Sequence, residues 1–326
     1  MTKPDLKSLI QSFQDATQYW VNNLNNEDIT KLKASKVSKP LDELLKLVKL
    51  VKAHTTKVGI IFKPDTLEKQ EQPAYNTLEK LSESLVFTTS VVSQLHSEQQ
   101  ISKIFYQEIL SQVRLLIESN VELANELMTI YQEKTDEGRL VSVGKIWSNC
   151  DSLVTLLENG PLALLTNKIK LSVTLIEDGF DEFSEWAKNP EDMDDAFGFS
   201  DEDDEEDAEN EEELDEQQLN KLIEFAKKWV KKIELVKLLI SSFKKSLPKT
   251  TTSSQVDEIY DLQKNLTNLI DKFIVELMLN REETREIELI KNDITKNSIK
   301  LAKLAESIHK DDKKSSWYST WITKYD

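Results

Sequence analysis

Apolar residues recur three and four positions apart along almost the whole sequence, which is the spacing of amphipathic α-helices. The chain has only 6 glycines and 7 prolines in 326 residues, whereas a β-rich protein of this length needs many more turn residues. The sequence therefore predicts an all-α protein. The clearest apolar seam, which alternates the two spacings, comprises Leu219, Leu222, Ala226, Trp229, Ile233, Val236, Ile240 and Phe243.

Nine long helices and a short aromatic C-terminal segment account for the pattern. The predicted ranges are about 4–24, 38–57, 72–96, 101–134, 140–157, 161–187, 214–247, 256–278 and 282–308. Helices of this length with short connections suit antiparallel bundles. Ser38 is expected to cap the second helix, and Gly59 and Pro64 are expected to break it. Trp317 and Trp321 lie one turn apart, so we expect both to dock on a bundle groove.

The charge distribution divides the chain into domains. The formal net charge is −17, and 17 acidic residues without a single Lys or Arg lie between Glu191 and Glu216. The rest of the chain balances at 42 acidic and 42 basic residues. We predict two packed helical bundles, 1–189 and 217–326, separated by a disordered acidic insert at 190–216. Alternatively, the C-terminal helices pack with those at 140–188, and the insert is a loop within a domain.

The histidines, the single cysteine and the one Glu–His pair do not form a catalytic pattern in the sequence. The histidines, His54, His96 and His309, are far apart in sequence and are expected at the surface or at helix ends. Glu306 and His309 have the i, i+3 spacing of di-iron bundle ligands, but no second such pair exists. Cys150 is the only cysteine, and glycine-rich phosphate loops are absent. We therefore expect a non-enzymatic protein without metal or cofactor.

The cellular setting follows from similar arguments. A single cysteine cannot form an intramolecular disulfide, which fits the reducing cytosol or nucleus. The N-terminus lacks the apolar core of a signal peptide, and no apolar run is long enough to span a membrane. Without a large basic excess, and with carboxylates that repel phosphate, direct nucleic-acid binding is not expected. The oligomeric state stays open.

One segment, "SVGKIWSNCDSL" at 142–153, stands out within the fifth predicted helix. Its apolar side chains share one helical face, so Trp147 and Cys150 are predicted to lie in the core. Gly144 costs about 1 kcal/mol relative to alanine inside a helix. A close approach of a neighbouring helix would explain its presence. The shared face comprises Val143, Ile146, Trp147, Cys150 and Leu153.

This segment carries a family resemblance, together with "KVGIIFKP" at 57–64 and the acidic insert. The pattern formed by Gly144, Trp147, Cys150 and Asp151 resembles the GCIP family of D-type-cyclin-binding proteins. That resemblance implies an all-α protein without enzymatic activity, found in cytoplasm and nucleus. Animal members bind D-type cyclins and helix-loop-helix regulators and restrain the cell cycle. The expected partner is therefore a cyclin-like or helical regulatory protein, and no catalytic residue is implied.

The acidic insert admits three interpretations. In a regulatory scaffold it tunes partner binding, and Ser200 is a candidate phosphosite because acid-directed kinases favour a carboxylate three residues on. In a chaperone or escort, the carboxylates neutralise a basic client such as a histone or ribosomal protein, while Phe197 and Phe199 anchor an extended segment. The third interpretation is a solvating linker.

Overall fold

A computed structural model describes residues 5–135, 139–190, 216–310 and 313–326. Within these ranges the chain forms ten α-helices, one short 3-10 helix and no strand, which confirms the all-α prediction. Phe197, Phe199, Ser200 and the rest of the acidic insert up to residue 215 lie outside the described residues. The helices are α1 Leu6–Asn23, α2 Pro40–Ile61, α3 Pro64–Leu67, α4 Glu71–Glu98, α5 Lys103–Glu133, α6 Arg139–Trp186, α7 Glu216–Ser246, α8 Ser253–Asn280, α9 Arg285–Ile308 and α10 Lys314–Tyr325.

The chain divides into two compact units, Met1–Leu164 and Leu165–Asp326. This division falls inside α6, whereas the sequence placed a boundary at residue 189. Helix α6 contains one non-helical residue, Gly160, with φ 74° and ψ −176°. Glycine adopts positive φ without a Cβ clash, and the following Pro161 suits the first turn of a new helical segment. The "ENGP" stretch therefore interrupts the helix, as predicted.

The first unit is built on two helix pairs, α2 against α4 and α1 against α5. Polar side chains of α4 also fasten the loop that joins α1 to α2. Ser93 Oγ donates to the Leu32 carbonyl at 2.9 Å, and Gln94 Nε2 donates to the Val37 carbonyl at 2.7 Å. These bonds satisfy loop carbonyls that would otherwise be costly to bury.

Two predictions about α2 were wrong. Its N-cap residue is Lys39 rather than Ser38, with Pro40 at the first helical position. Gly59 lies inside the helix and is buried, so it does not break it. A Cβ added to Gly59 would lie 3.2 Å from Cγ2 of Val143 on α6. Gly59 is therefore the residue that permits a close approach of two helices.

The second unit contains the rest of α6 together with α7 to α10. Helix α9 packs against both α8 and α10. Trp229 of α7 lies with its ring 4.6 Å from that of Phe273 on α8, and Phe183 of α6 meets Phe273 edge-on at 6.2 Å. The apolar seam of α7 is buried from Leu222 onward, so its heptad spacing reflects packing inside this unit. None of the described helices has an apolar stretch capable of crossing a bilayer.

Helix α10 docks through only one of its two tryptophans. Trp321 is buried, and its indole N–H donates to the Leu235 carbonyl at 2.9 Å. Trp317 is 37% exposed, so the prediction that both indoles dock was wrong for this residue. The buried face of α10 continues through Tyr318 and Tyr325 instead. Lys232 Nζ donates to the Tyr325 carbonyl at 3.0 Å and tethers the end of the helix to α7.

Candidate protein-interaction site

The first part of α6 meets α2 along an antiparallel line of contact, which we call the α2–α6 seam. Residue numbers rise along α6 as they fall along α2, so the two helices run antiparallel. Three polar contacts define it: Lys49 Nζ to Glu158 Oε1 at 2.9 Å, Lys52 Nζ to Asp151 Oδ1 at 2.5 Å, and Trp147 Nε1 to Thr56 Oγ1 at 3.1 Å.

The opposite flank of α6 is held by α5. Lys145 Nζ pairs with Glu122 Oε2 at 2.6 Å, and Asn149 Nδ2 donates to Ser119 Oγ at 2.7 Å. With both flanks and the core face engaged, the solvent-facing side of α6 is what this segment offers to another molecule.

Cys150 lies in the core at 0% exposure. Burial raises the pKa of its thiol to about 12, because the charged thiolate would be desolvated there. A thiol held protonated in this way is a poor nucleophile and a poor metal ligand. Cys150 therefore acts as a small apolar side chain, alongside the buried Val143, Ile146 and Leu153.

Trp147 is 38% exposed, so the prediction that it lies in the core was wrong. Its side chain belongs to the α2–α6 seam, at the edge of the core face of α6. The indole N–H requires an acceptor, and it finds the Thr56 hydroxyl at the edge of α2. That hydrogen bond holds the partly exposed indole beside α2.

Gly144 was predicted to allow a close helix approach, and this was also wrong. No atom lies within 4 Å of the position that its Cβ would occupy. By the register of the seam, Ile60 of α2 lies at the same level, and it is 67% exposed. Gly144, Trp147 one turn further along α6 and Ile60 on α2 are all exposed, and we call this surface, with the open space beside Gly144, the open notch.

Charged and apolar groups surround the open notch. Asp151 and Lys52 pair one turn away, and their side chains are 63% and 39% exposed, so the pair contributes at most about 1 kcal/mol to stability. At the start of α6, Leu140 and Val141 are 67% and 62% exposed. Apolar surface rimmed by polar residues is typical of protein-binding sites.

His54 lies at the contact between α2 and α4. His54 Nδ1 lies 3.0 Å from Ser84 Oγ, a pairing across 30 residues that the sequence did not suggest. The Ser84 hydroxyl donates to the Lys80 carbonyl at 2.8 Å, so its proton is not directed at His54. Burial, and then the charge of Lys57, lowers the pKa of His54. This pair is a structural tie between α2 and α4.

The Glu306–His309 spacing likewise serves packing. His309 ends α9 as predicted, but it is buried and stacks on Tyr318 at 5.6 Å. Glu306 accepts a hydrogen bond from Ser319 Oγ at 2.5 Å. Within the described ranges, no group of three or more His, Cys, Asp or Glu side chains is placed to hold a metal ion.

The comparison with protein families decides the relationship. Residues 43–189 match the family described as Grap2 and cyclin-D-interacting, N-terminal. This part of the chain is similar to the N-terminal domain of the GCIP family. The match runs from the first turn of α2 to just beyond α6. It includes both sides of the α2–α6 seam, and it confirms the resemblance carried by the 142–153 segment.

Two fungal proteins are similar over most of their length. The chain is 29% identical to the uncharacterized protein YLR287C of Saccharomyces cerevisiae over 348 residues, which cover 99% of this chain and 97% of that protein. It is 22% identical to the uncharacterized protein C22E12.18 of Schizosaccharomyces pombe over 296 residues, covering 89% and 85%. These proteins therefore share nearly the whole length of the chain, including the part beyond residue 189.

Proposed function

We propose that this protein is a non-enzymatic regulator that binds a protein partner of the D-type-cyclin class through the open notch. The observation that supports this most directly is Trp147, a partly exposed indole beside the unfilled space at Gly144. The family whose N-terminal model matches residues 43–189 is described as cyclin-D-interacting. Gly144, Trp147 and Asp151 of the family-like motif are exposed at or beside the notch, whereas Cys150 of the same motif is buried.

The composition of the notch suits a binding hot spot. Tryptophan contributes strongly to protein interfaces because a large apolar area is buried with little loss of side-chain entropy. The space at Gly144 admits one apolar side chain of the partner between Ile60 and Trp147. Lys52 and Asp151 form a polar rim, which favours orientation and specificity more than affinity.

The test is a binding titration with a purified D-type cyclin. Trp147→Ala should weaken binding by at least about 10-fold, because truncating a hot-spot aromatic removes 2 kcal/mol or more. Trp317→Ala is the matched control, since this indole is equally exposed at 37% on α10 of the second unit. Equal loss in both variants, or no loss in either, would refute the assignment of the notch.

A second variant separates binding from the hydrogen bond to α2. Thr56→Val removes the acceptor of the Trp147 N–H but keeps the bulk of the side chain. Affinity should fall less than with Trp147→Ala, because the indole stays present but is less firmly oriented. Filling the notch with Gly144→Leu should weaken binding while the helix remains folded. Unchanged affinity in the filled variant would show that the partner does not enter the notch.

A role as an acidic escort for a basic client is the second candidate. It is supported by the concentration of 17 carboxylates in residues 191–216 of an otherwise charge-balanced chain. Deleting 191–215 should then abolish capture of highly basic proteins, and moderate salt should release them from the intact chain. Retention of the same partners by the deletion variant would reduce this segment to a spacer.

We further propose that the protein acts in cytoplasm and nucleus and that Ser200 is phosphorylated there. An acidic residue three positions after Ser200 supports modification by an acid-directed kinase. Mass spectrometry of the protein from cells should detect phosphate at Ser200. Complete recovery of the unmodified peptide would count against it.

A further inference from the structure

A second exposed apolar surface lies in the second unit, where the remainder of α6 runs beside α8. Two adjoining cavities of about 200 and 180 Å³ form one groove. Lys168 and Leu171 lie with Lys264 at one end, and Gly179 lies with Asp271 at the other. Both helices therefore run in the same direction along the groove. The two cavities share Leu175, Thr267 and Asn268.

The rim of this groove carries two strongly exposed leucines. Leu171 and Leu175 are 63% and 64% exposed and lie one turn apart on the same face of α6. The lining of the groove also includes three small residues, Ser172, Gly179 and Thr267. Two adjacent exposed leucines beside small residues resemble one half of a helix–helix interface.

Charge along the groove changes sign from one end to the other. On α6, Lys168 precedes Leu171 by three residues, and Asp178 follows Leu175 by three residues on the same face. On α8, Lys264 and Asp271 occupy the corresponding ends. Both helices thus present lysine at their N-terminal side of the groove and aspartate at their C-terminal side.

We propose that this groove binds a second copy of the chain in an antiparallel, two-fold arrangement. A two-fold axis between Leu171 and Leu175 places Leu171 of each copy against Leu175 of the other copy. The same rotation sets Lys168 opposite Asp178 of the second copy, and Lys264 opposite Asp271. Each charge pair then occurs twice, as an isologous interface requires.

The charge pattern selects this occupant over others. A parallel pairing of the same surfaces would bring lysine against lysine and aspartate against aspartate. An unrelated apolar helix would fill the groove without matching four charges. This inference goes beyond the proposed function and does not rest on it, because the open notch lies in the first unit.

The test is sedimentation velocity of the full chain over a concentration series from about 1 to 100 µM, the range in which a small interface dissociates. The unaltered chain should shift from monomer to dimer. Leu175→Asp should raise the dissociation constant at least about 10-fold, because it places a carboxylate at the centre of the interface. Leu289→Asp on α9 is the matched control, since this leucine is 60% exposed outside the groove, and it should leave the dimer intact.

Charge reversal gives the more specific test. Lys168→Glu with Lys264→Glu should prevent dimerisation, and so should Asp178→Lys with Asp271→Lys. Mixed in equal amounts, the two double variants should form a heterodimer, because every pair then joins opposite charges again. A monomeric unaltered chain, a dimer indifferent to Leu175→Asp, or a mixture that stays monomeric would each overturn the proposal. Binding of only an unrelated helix in the groove would overturn it as well.

Discussion

Replacing Gly144 by alanine tests whether the fold has any need for this glycine. The residue lies inside α6, and its added Cβ would meet nothing within 4 Å. Alanine is favoured over glycine in a helix by about 0.5–1 kcal/mol, mainly because the unfolded chain loses fewer conformations. Gly144→Ala should therefore raise the free energy of unfolding by about that amount.

Gly59→Ala is the matched comparison on the other side of the seam. It offers the same gain in helix propensity, but its Cβ would lie 3.2 Å from Val143 Cγ2. Val143 is only 3% exposed and has little room to move. Overpacking of a core costs about 1–3 kcal/mol, so the net effect should range from neutral to a loss of about 2 kcal/mol. The two variants should thus differ by about 1–3 kcal/mol.

Two-state unfolding is not assured for a chain with two compact units, so the assay must report on the first one. Cys150 is the only cysteine in the chain and is fully buried in that unit. Pulsed thiol labelling across a urea series therefore measures unfolding of this unit alone. Destabilisation by Gly144→Ala would refute the reasoning, because it would mean that the space beside Gly144 is occupied. If Gly144→Ala raises the free energy of unfolding and Gly144→Leu weakens partner binding, this glycine serves recognition rather than folding.

Three further predictions concern single side chains. In the native protein at neutral pH, Cys150 should resist thiol reagents, because burial raises its pKa to about 12, and the labelling rate should rise only as urea unfolds the first unit. Trp321→Ala should lower the free energy of unfolding by about 3–5 kcal/mol, whereas Trp317→Ala should lower it by less than about 1 kcal/mol. Urea titrations followed by tryptophan fluorescence measure both losses. Similar losses in the two variants would contradict the docking of α10. The folded pKa of His54 lies below its ordinary 6.5, so the unfolded state binds this proton more readily and stability should fall as pH drops below that value. His54→Gln should reduce this pH dependence, and identical pH profiles for both proteins would contradict it.

The sequence predicted those features that depend on local pattern. The heptad spacing of α7 located its buried face from Leu222 to Phe243, and the Gly160–Pro161 pair located the interruption of α6. Both follow from the helical repeat and from backbone preferences within a few residues.

Features that depend on how distant helices align were not predictable in this way. Gly59 was expected to break a helix and Gly144 to allow a close approach, and only the packing of α2 against α6 shows that the first meets Val143 and the second meets nothing within 4 Å. The surface position of Trp147 was missed for the same reason, since Thr56 lies 91 residues away. The pairing of His54 with Ser84 also requires the alignment of two helices.

The contacts of the α2–α6 seam limit how this protein can tolerate insertions and deletions. Adding one residue within α2 between Lys52 and Thr56 would turn every later side chain by about 100° around the helix axis. Thr56 would no longer accept the hydrogen bond from the Trp147 indole. Gly59 would move away from Val143, and a bulkier residue would take its place in this close contact. Length changes should therefore be accommodated in the connections between helices, whereas α2 and the first part of α6 should keep a fixed length.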